Sequence, residues 1–153
     1  MSKEIERKFF VKGQPWKGLS GCFLEQGYIA DNGACVRVRT SAEKAWITVK
    51  GKTRGISRSE FEYEIPKHDA IAMLDLFCGK KRISKMRYKV TFEGSIWEID
   101  VFEGQNKGLI IAEIELESED QRFASPEWLG EEVSYDSRFF NINLLNNPWP
   151  WED

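Results

Sequence analysis

The sequence contains few of the residues that usually carry histidine or zinc chemistry. It has one histidine, His68, and three cysteines, Cys22, Cys35 and Cys78, with no Cys-x-x-Cys spacing. Histidine-based catalysis and a tetrahedral zinc site are therefore disfavoured. Because the cysteine number is odd and the N-terminus has no apolar leader segment, we expect a reduced, cytoplasmic protein.

The chain also lacks long apolar runs and an excess of positive charge. No segment approaches the roughly 20 apolar residues that cross a bilayer, so we expect no membrane association. The net charge is −3, which argues against a nucleic-acid partner, because such proteins usually present a basic face. At 153 residues, 41% of them apolar, the chain has the size of one domain, and we expect a single domain over residues 1–153.

Period-two alternation, interrupted by glycine-containing turns, dominates the sequence and predicts antiparallel strands. The predicted strands cover 3–11, 22–29, 34–40, 45–51, 57–65, 82–93, 95–103 and 109–117. Eight strands are enough to close a barrel. Apolar residues at helical spacing predict one helix over 66–79 and a second within 137–145. We expect irregular structure around Trp128 and at the C-terminal tail.

Almost every predicted strand has one charged and one apolar face, and the charges are sorted by sign. The strands are acidic at 4–6, 60–64, 98–100 and 113–117, and basic at 37–39, 50–52 and 85–89. One interpretation is a solvent-exposed sheet whose charges serve solubility. The other is a barrel with its charges inward and its apolar residues, including Trp46 and Trp97, outward beneath helices. Because buried like charges are costly, the second interpretation requires a polyanion and a metal inside.

The N-terminal strand carries the most specific of these patterns. Glu4, Glu6 and Lys8 are two residues apart, so on a strand all three side chains project from one face. Two carboxylates on one face can hold a hard divalent cation, and a lysine one pleat further can meet the anion that the cation carries. The N-terminus therefore predicts half of a metal and phosphate site.

These motifs resemble the CYTH domain family, also called triphosphate tunnel metalloenzymes, and in particular its compact bacterial inorganic tripolyphosphatases. The Glu-x-Glu-x-Lys signature is present as Glu4-Ile5-Glu6-Arg7-Lys8. The further matching motifs are Arg37-Val38-Arg39, Thr48-Val49-Lys50-Gly51-Lys52, Glu60-Phe61-Glu62-Tyr63-Glu64, Lys85-Met86-Arg87-Tyr88-Lys89, Trp97-Glu98-Ile99-Asp100 and Ala112-Glu113-Ile114-Glu115-Leu116. The resemblance implies a mainly β (α+β) fold, an eight-stranded antiparallel closed barrel with a charged lumen and helices packed outside.

The resemblance also implies roles for individual residues. By position, the phosphate-binding cations are Lys8, Arg37, Arg39, Lys50, Lys52, Lys85 and Arg87. The acidic residues around a Mg²⁺ or Mn²⁺ ion are Glu4, Glu6, Glu113 and Glu115, with Glu60, Glu62 and Asp100 as candidates for a second ion. Lys8, Lys85 and Arg87 are the expected catalytic cations, and Glu62 is a candidate to orient the attacking water.

The implied reaction is metal-dependent hydrolysis of inorganic tripolyphosphate to pyrophosphate and phosphate, with water attacking the terminal phosphorus in line. A class IV adenylyl cyclase, a thiamine triphosphatase and a nucleoside triphosphatase are alternatives, because relatives with the same tunnel share the fold and not the reaction. A barrel that binds polyphosphate or a nucleotide without turnover is an alternative from another class. The expected partner is a small-molecule triphosphate, and the outward apolar faces leave a homodimer open.

Overall fold

The computed structural model describes residues 2–151, which form nine strands and a few short helices. The strands are β1 Ser2–Val11, β2 Cys22–Asp31, β3 Cys35–Thr40, β4 Ala45–Lys50, β5 Ser57–Ile65, β6 Ile83–Phe92, β7 Ser95–Phe102, β8 Ile110–Glu115 and β9 Leu129–Glu132. The helices are α1 Lys67–Met73, continued by a π-helical turn over Leu74–Cys78, and α2 Asn141–Asn146, with 3-10 turns at Gly104–Asn106 and Ser137–Phe139. No helix in this part of the chain is long and apolar enough to span a bilayer.

Eight of the strands close into an antiparallel barrel. Around the barrel the order is β1, β5, β4, β3, β2, β6, β7 and β8, which pairs again with β1. The seam between β1 and β5 joins Ser2–Ile5 to Ser57–Glu60. The closed barrel is confirmed, and each of the eight predicted strands is present with its ends within two residues of the prediction.

The ninth strand lies where the sequence predicts irregular structure, so that prediction is wrong for Leu129–Glu132. This strand, β9, pairs with Phe9 and Val11, on the edge of β1 that faces away from β8. On that edge the pairing with β5 ends at Ile5, and the next backbone groups of β1 need other hydrogen-bond partners. β9 pairs with β1 from Phe9 onward, and the segment just after β9 bonds to Lys8, whose N–H donates to Ser134 Oγ at 2.9 Å.

The outward apolar faces form two clusters, of which only one lies beneath a helix. Trp97 is fully buried outside the wall, with Phe9, Phe123 and Trp128 edge-on around it at centroid distances of 5.7, 5.5 and 5.5 Å. Phe123 and Trp128 belong to the segment that precedes β9, so a loop covers this sector. The expectation that helices cover the apolar faces therefore holds for one sector only.

The covering helix is the one predicted over 66–79, and it packs on the outside of β2, β3 and β4. Its residues Ala70 and Leu74 are buried with Val38 of β3. The helix approaches β2 closely at Gly27, where a Cβ atom would lie 2.5 Å from Cys78 Sγ. Only glycine permits this approach, because any side chain would push the helix away from the barrel.

An apolar cluster closes one end of the barrel. Ile83, Phe102 and Ile111 project to the same side of their strands as Lys85, Asp100 and Glu113, which makes them inward-facing. They are buried together with Leu109, Val133, Phe139 and Leu144. The predicted helix within 137–145 is observed as the 3-10 turn at Ser137–Phe139 followed by α2. These two elements close the apolar end of the barrel, next to the charged residues of the cavity.

Candidate active site

A cavity of about 740 Å³ occupies the barrel, and the charged faces of the strands line it. The interpretation with charges inward is therefore the one that the structure adopts. The predicted site residues that line the cavity are Glu4, Glu6, Lys8, Arg37, Arg39, Lys50, Glu60, Glu62, Lys85, Arg87, Glu113 and Glu115. Lys52 is exposed and does not line the cavity, because β4 ends at Lys50 and the chain turns away.

The tryptophan assignments are half correct. Trp97 is outward, as expected, but Trp46 lines the cavity, so its prediction as an outward residue is wrong. The reason is parity: Trp46 is two residues from Thr48 and four from Lys50, and all three project from the inward face of β4. An aromatic side chain thus sits within a face that is otherwise polar.

The first cationic wall is built on Asp100, which is completely buried. Its Oδ2 lies 2.7 Å from Lys85 Nζ, and its two oxygens accept hydrogen bonds from Arg87 Nε and Nη2 at 2.7 and 2.9 Å. Burial raises the pKa of Asp100, but Arg87 and Lys85 outweigh it and hold that pKa below its usual range. Burial also lowers the pKa of Lys85, and repulsion from Arg87 adds to this effect. Arg87 also reaches two carboxylates of the cavity wall, with Nη1 3.3 Å from Glu98 Oε2 and Nη2 3.8 Å from Glu113 Oε2. The cations of this wall are therefore held in place by carboxylates on their neighbouring strands.

The second cationic wall comes from β3. Arg37 Nη2 donates to Thr48 Oγ1 at 3.1 Å and to Glu62 Oε2 at 3.3 Å, and its buried Nε has no hydrogen-bond partner. Arg39 Nε donates to Gln26 Oε1 at 2.8 Å. Burial and the charge of Arg37 lower the pKa of Arg39 to about 9. These arginines retain donors and positive charge that a phosphate chain can use.

Carboxylates gather on the neighbouring strands β1 and β8. Glu6 of β1 is directly across from Glu115 of β8, and Lys8 is across from Glu113. Lys8 Nζ lies 3.7 Å from Glu6 Oε1 and 3.9 Å from Glu113 Oε1. Burial and the charge of Glu6 raise the pKa of Glu113, and burial with the charges of Glu4 and Glu6 raises the pKa of Glu115. The carboxylates repel one another, and a bound cation would relieve that repulsion.

Lysine side chains lie between these carboxylates. Lys50 Nζ is 3.0 Å from Glu4 Oε2 and 3.6 Å from Glu60 Oε2, a buried oxygen that accepts no hydrogen bond. Burial raises the pKa of Glu4, but Lys50 outweighs this and lowers it overall. Within residues 2–151, no three carboxylate, thiol or imidazole groups already converge on one point. The donor set still fits a divalent ion, because it consists of mutually repelling oxygen ligands of the kind that Mg²⁺ and Mn²⁺ prefer.

Several neutral residues complete the site. Tyr28 of β2 lines the cavity, and Gln26 Nε2 donates to Tyr28 Oη at 3.0 Å. Asn141 Oδ1 accepts a hydrogen bond from Lys85 Nζ at 3.0 Å, which joins α2 to the first cationic wall. Thr48 Oγ1 donates to Glu62 Oε2 at 2.8 Å, so this threonine, which is not among the predicted site residues, holds a predicted one in place. Thr48 lies between Trp46 and Lys50 on the inward face of β4, and this spacing is the sequence feature that identifies it as a cavity residue.

The fold and the site together define a closed antiparallel barrel in which cationic walls and a group of carboxylates line one cavity. The chain belongs to the CYTH domain family, whose sequence profile matches residues 2–141. It is 50% identical over 151 residues to an inorganic triphosphatase of Acetivibrio thermocellus, covering 97% of each chain. It is 36% identical over 146 residues to an inorganic triphosphatase of Nitrosomonas europaea, covering 92% of this chain and 95% of that one.

The fold comparison agrees. The crystal structure of an inorganic triphosphatase matches with a TM-score of 0.67 at 33% identity, covering 92% of this chain and 96% of the other. The family membership predicted from the strand motifs is confirmed.

Proposed function

We propose that this protein is an inorganic triphosphatase that hydrolyses tripolyphosphate to pyrophosphate and phosphate with the help of Mg²⁺ or Mn²⁺. One observation carries the proposal: the two cationic walls and the carboxylate group face the same cavity, so an anion and a divalent ion can be bound side by side. The names of the two sequence relatives support the choice of substrate. We further propose that the protein acts in the cytoplasm and that residues 1–153 form a single domain.

The cations bind the phosphate chain. Arg37 and Arg39 offer planar forks that suit phosphate oxygens, while Lys85 acts as a point charge. Arg87 is held in place by Asp100 through two hydrogen bonds, which fixes its guanidinium before the substrate arrives. Preformed contacts of this kind strengthen binding, because less side-chain freedom is lost. Lys8 and Lys50, which lie among the carboxylates, are the remaining proposed phosphate ligands.

The metal-binding role falls to Glu4, Glu6, Glu113 and Glu115, with Glu60 as the candidate for a second ion. When bound, the divalent ion neutralises phosphate charge and favours deprotonation of the attacking water. Asp100 takes a different role in this proposal from the ligand role that the family resemblance implies. Both of its oxygens already face Lys85 and Arg87, so we propose that it acts as their counter-ion.

Glu62 is proposed to orient the attacking water and to receive its proton. Its Oε2 accepts hydrogen bonds from Thr48 and Arg37, which hold the carboxylate at the cavity surface. Water oxygen bonds to the terminal phosphorus while the bond from that phosphorus to the bridging oxygen breaks. Phosphate and pyrophosphate are the products, and Lys85, Arg87 and Lys8 offset the negative charge that develops during transfer.

The first test is phosphate release from tripolyphosphate, ATP and thiamine triphosphate, each with Mg²⁺, Mn²⁺ or EDTA. We expect rapid metal-dependent turnover of tripolyphosphate and slow turnover of the other two. The ATP reaction is also analysed for cyclic AMP, which would place the protein with the cyclases. Faster hydrolysis of ATP or of thiamine triphosphate would overturn the substrate assignment, and no turnover at all would support the binding-module alternative.

The second test separates catalysis from binding. Glu6→Gln removes one proposed metal ligand without changing the size of the side chain, so we expect kcat to fall by about 100-fold or more. Affinity for tripolyphosphate in EDTA should stay within a few-fold of wild type, because the cationic walls are unchanged. Glu131→Gln, in an exposed residue of β9, is the matched control. Equal activity of the two variants would contradict the metal-binding role of Glu6.

A further inference from the structure

Gln26 is a completely buried amide in the wall of the barrel, and both ends of its side chain are hydrogen-bonded. Its Oε1 accepts from Arg39 Nε at 2.8 Å, and its Nε2 donates to Tyr28 Oη at 3.0 Å. Gln26 and Arg39 are also directly opposite each other in the pairing of β2 with β3. Directly opposed residues on one face of an antiparallel pair have neighbouring Cβ atoms, so the register of β2 against β3 brings these two side chains together.

The Gln26 bond has a geometric consequence for Arg39. A guanidinium has five donors in a rigid plane, and the acceptor at Nε restrains the direction in which that plane points. The terminal Nη1 and Nη2 groups then form the edge that is left for an anion. An arginine edge of this kind can bind two phosphate oxygens at once.

The neutrality of Gln26 matters as much as its position. Arg87 is oriented by Asp100, Arg7 by Glu132, and Arg82 by two carboxylates, so these arginines are neutralised by the groups that hold them. Among residues 2–151, no carboxylate oxygen lies within ion-pair distance of Arg39. An amide can orient a guanidinium without cancelling its charge, and the full charge of Arg39 stays available to a polyanion.

We propose that Gln26 is a positioning residue for substrate binding: it aims the Arg39 guanidinium at the triphosphate and leaves its charge uncompensated. The inference rests on the proposed function for its substrate, tripolyphosphate. It adds a residue that lies behind the anion-binding surface and acts through Arg39. The alternative is that Gln26 only satisfies buried hydrogen bonds and supports the fold.

Two substitutions distinguish these roles. Gln26→Met keeps the length of the side chain and removes the acceptor, so Arg39 keeps its charge but loses its orientation. We expect the affinity for tripolyphosphate to fall about 10-fold, with KM rising more than kcat falls. Gln26→Glu keeps an acceptor at the same place and adds a negative charge that pairs with Arg39. We expect a larger loss of affinity, about 100-fold, because the cation is neutralised.

The experiment is a double-mutant cycle with Arg39→Met. The dissociation constant of tripolyphosphate is measured by calorimetry in EDTA, and kcat and KM are measured with Mg²⁺. Once Arg39 is removed, Gln26→Met should have little further effect on affinity, because the proposed action on the anion is through that guanidinium and not through Tyr28. Gln14→Met, at an exposed position, is the matched control and should behave as wild type. Thermal unfolding verifies that each variant is folded.

An unchanged dissociation constant in Gln26→Met, or the same loss with and without Arg39, would overturn the positioning role. If Gln26→Met does not fold, Gln26→Leu, which is also uncharged and has no acceptor, carries the same cycle. If the wild type does not hydrolyse tripolyphosphate but binds it in EDTA, the proposed activity fails and the cycle still decides the role of Gln26. If the wild type does not bind the anion, both proposals fail.

Discussion

Asp100 has no contact with solvent, and its carboxylate is the nearest negative charge to two buried cations. Removing one member of a buried charged group leaves the others without compensation, which typically costs about 3–5 kcal/mol. Asp100→Asn keeps the shape of the side chain and removes its charge. We therefore expect a loss of about this size in the free energy of unfolding, measured by urea denaturation in EDTA.

The same variant tests the counter-ion role against a metal-ligand role. Tripolyphosphate should recover part of the lost stability in EDTA, because its oxygens can take the place of the carboxylate beside Lys85 and Arg87. Asp75→Asn is the control, since its side chain is largely exposed and its ion pair with Arg82 should contribute less than about 1 kcal/mol. A variant that is as stable as wild type but needs more Mg²⁺ for activity would favour the ligand role.

For individual residues, the sequence predicts which side chains face the cavity better than it predicts the contacts that each one makes there. Alternation places Glu4, Glu6 and Lys8 on one face without knowledge of any contact. The pairing of Asp100 with two cations depends on the register of β6 against β7, which the spacing of charges within one strand does not contain. The prediction for Trp46 is wrong for a different reason: it follows the apolar character of the side chain, whereas the spacing of four residues from Lys50 places Trp46 on the inward face.

Among the strand pairs of the barrel, β1 and β5, which form its seam, are joined by a short pairing. Pairing there covers only Ser2–Ile5 and Ser57–Glu60. In contrast, residues 85–92 of β6 pair with residues 95–102 of β7. Short pairing opens locally at lower free energy. We expect the amide hydrogens of Ser57–Glu60 to exchange faster than those of β6 when followed by mass spectrometry.

Substrate and metal should slow this exchange. The ion pair between Lys50 and Glu4 crosses the seam region, with Nζ 3.0 Å from Oε2, and both residues are proposed ligands. Tripolyphosphate with Mg²⁺ should therefore protect the seam more than it protects the outer helix α1, which serves as the internal control. Equal protection of both elements would indicate a general stabilisation instead of a bridge across the seam.

The eight barrel strands could be predicted because each is long enough to show alternation, and β9 could not. Leu129–Glu132 has only four residues, one of which is a glycine, so it shows no alternation of apolar and polar residues. It is a strand because the edge of β1 is left unpaired by β5 beyond Ile5, where that pairing stops. The π-helical turn at Leu74–Cys78 is likewise a tertiary effect, since it follows α1 where the chain packs against Gly27.

For the molecule as a whole, the distribution of charge matters more than its sum. The chain carries a net charge of −3, yet arginine and lysine side chains from β1, β3, β4 and β6 converge in one cavity of about 740 Å³. A cavity with low-dielectric walls concentrates the field of the charges that line it. A small polyanion is therefore attracted to the interior of a protein that is acidic overall.

The convergence of positive charge in the cavity predicts that tripolyphosphate stabilises the fold even without a metal. A ligand that binds only the folded state at 100 times its dissociation constant adds about 2.7 kcal/mol. For a chain of this length, that corresponds to a rise in Tm of about 5–10 °C. The measurement is thermal unfolding in EDTA, with sulfate at equal ionic strength as the control. Sulfate should give a much smaller rise, because one tetrahedral anion cannot reach both cationic walls. Equal shifts from the two anions would mean that a general salt effect, and not the converging walls, accounts for the stabilisation.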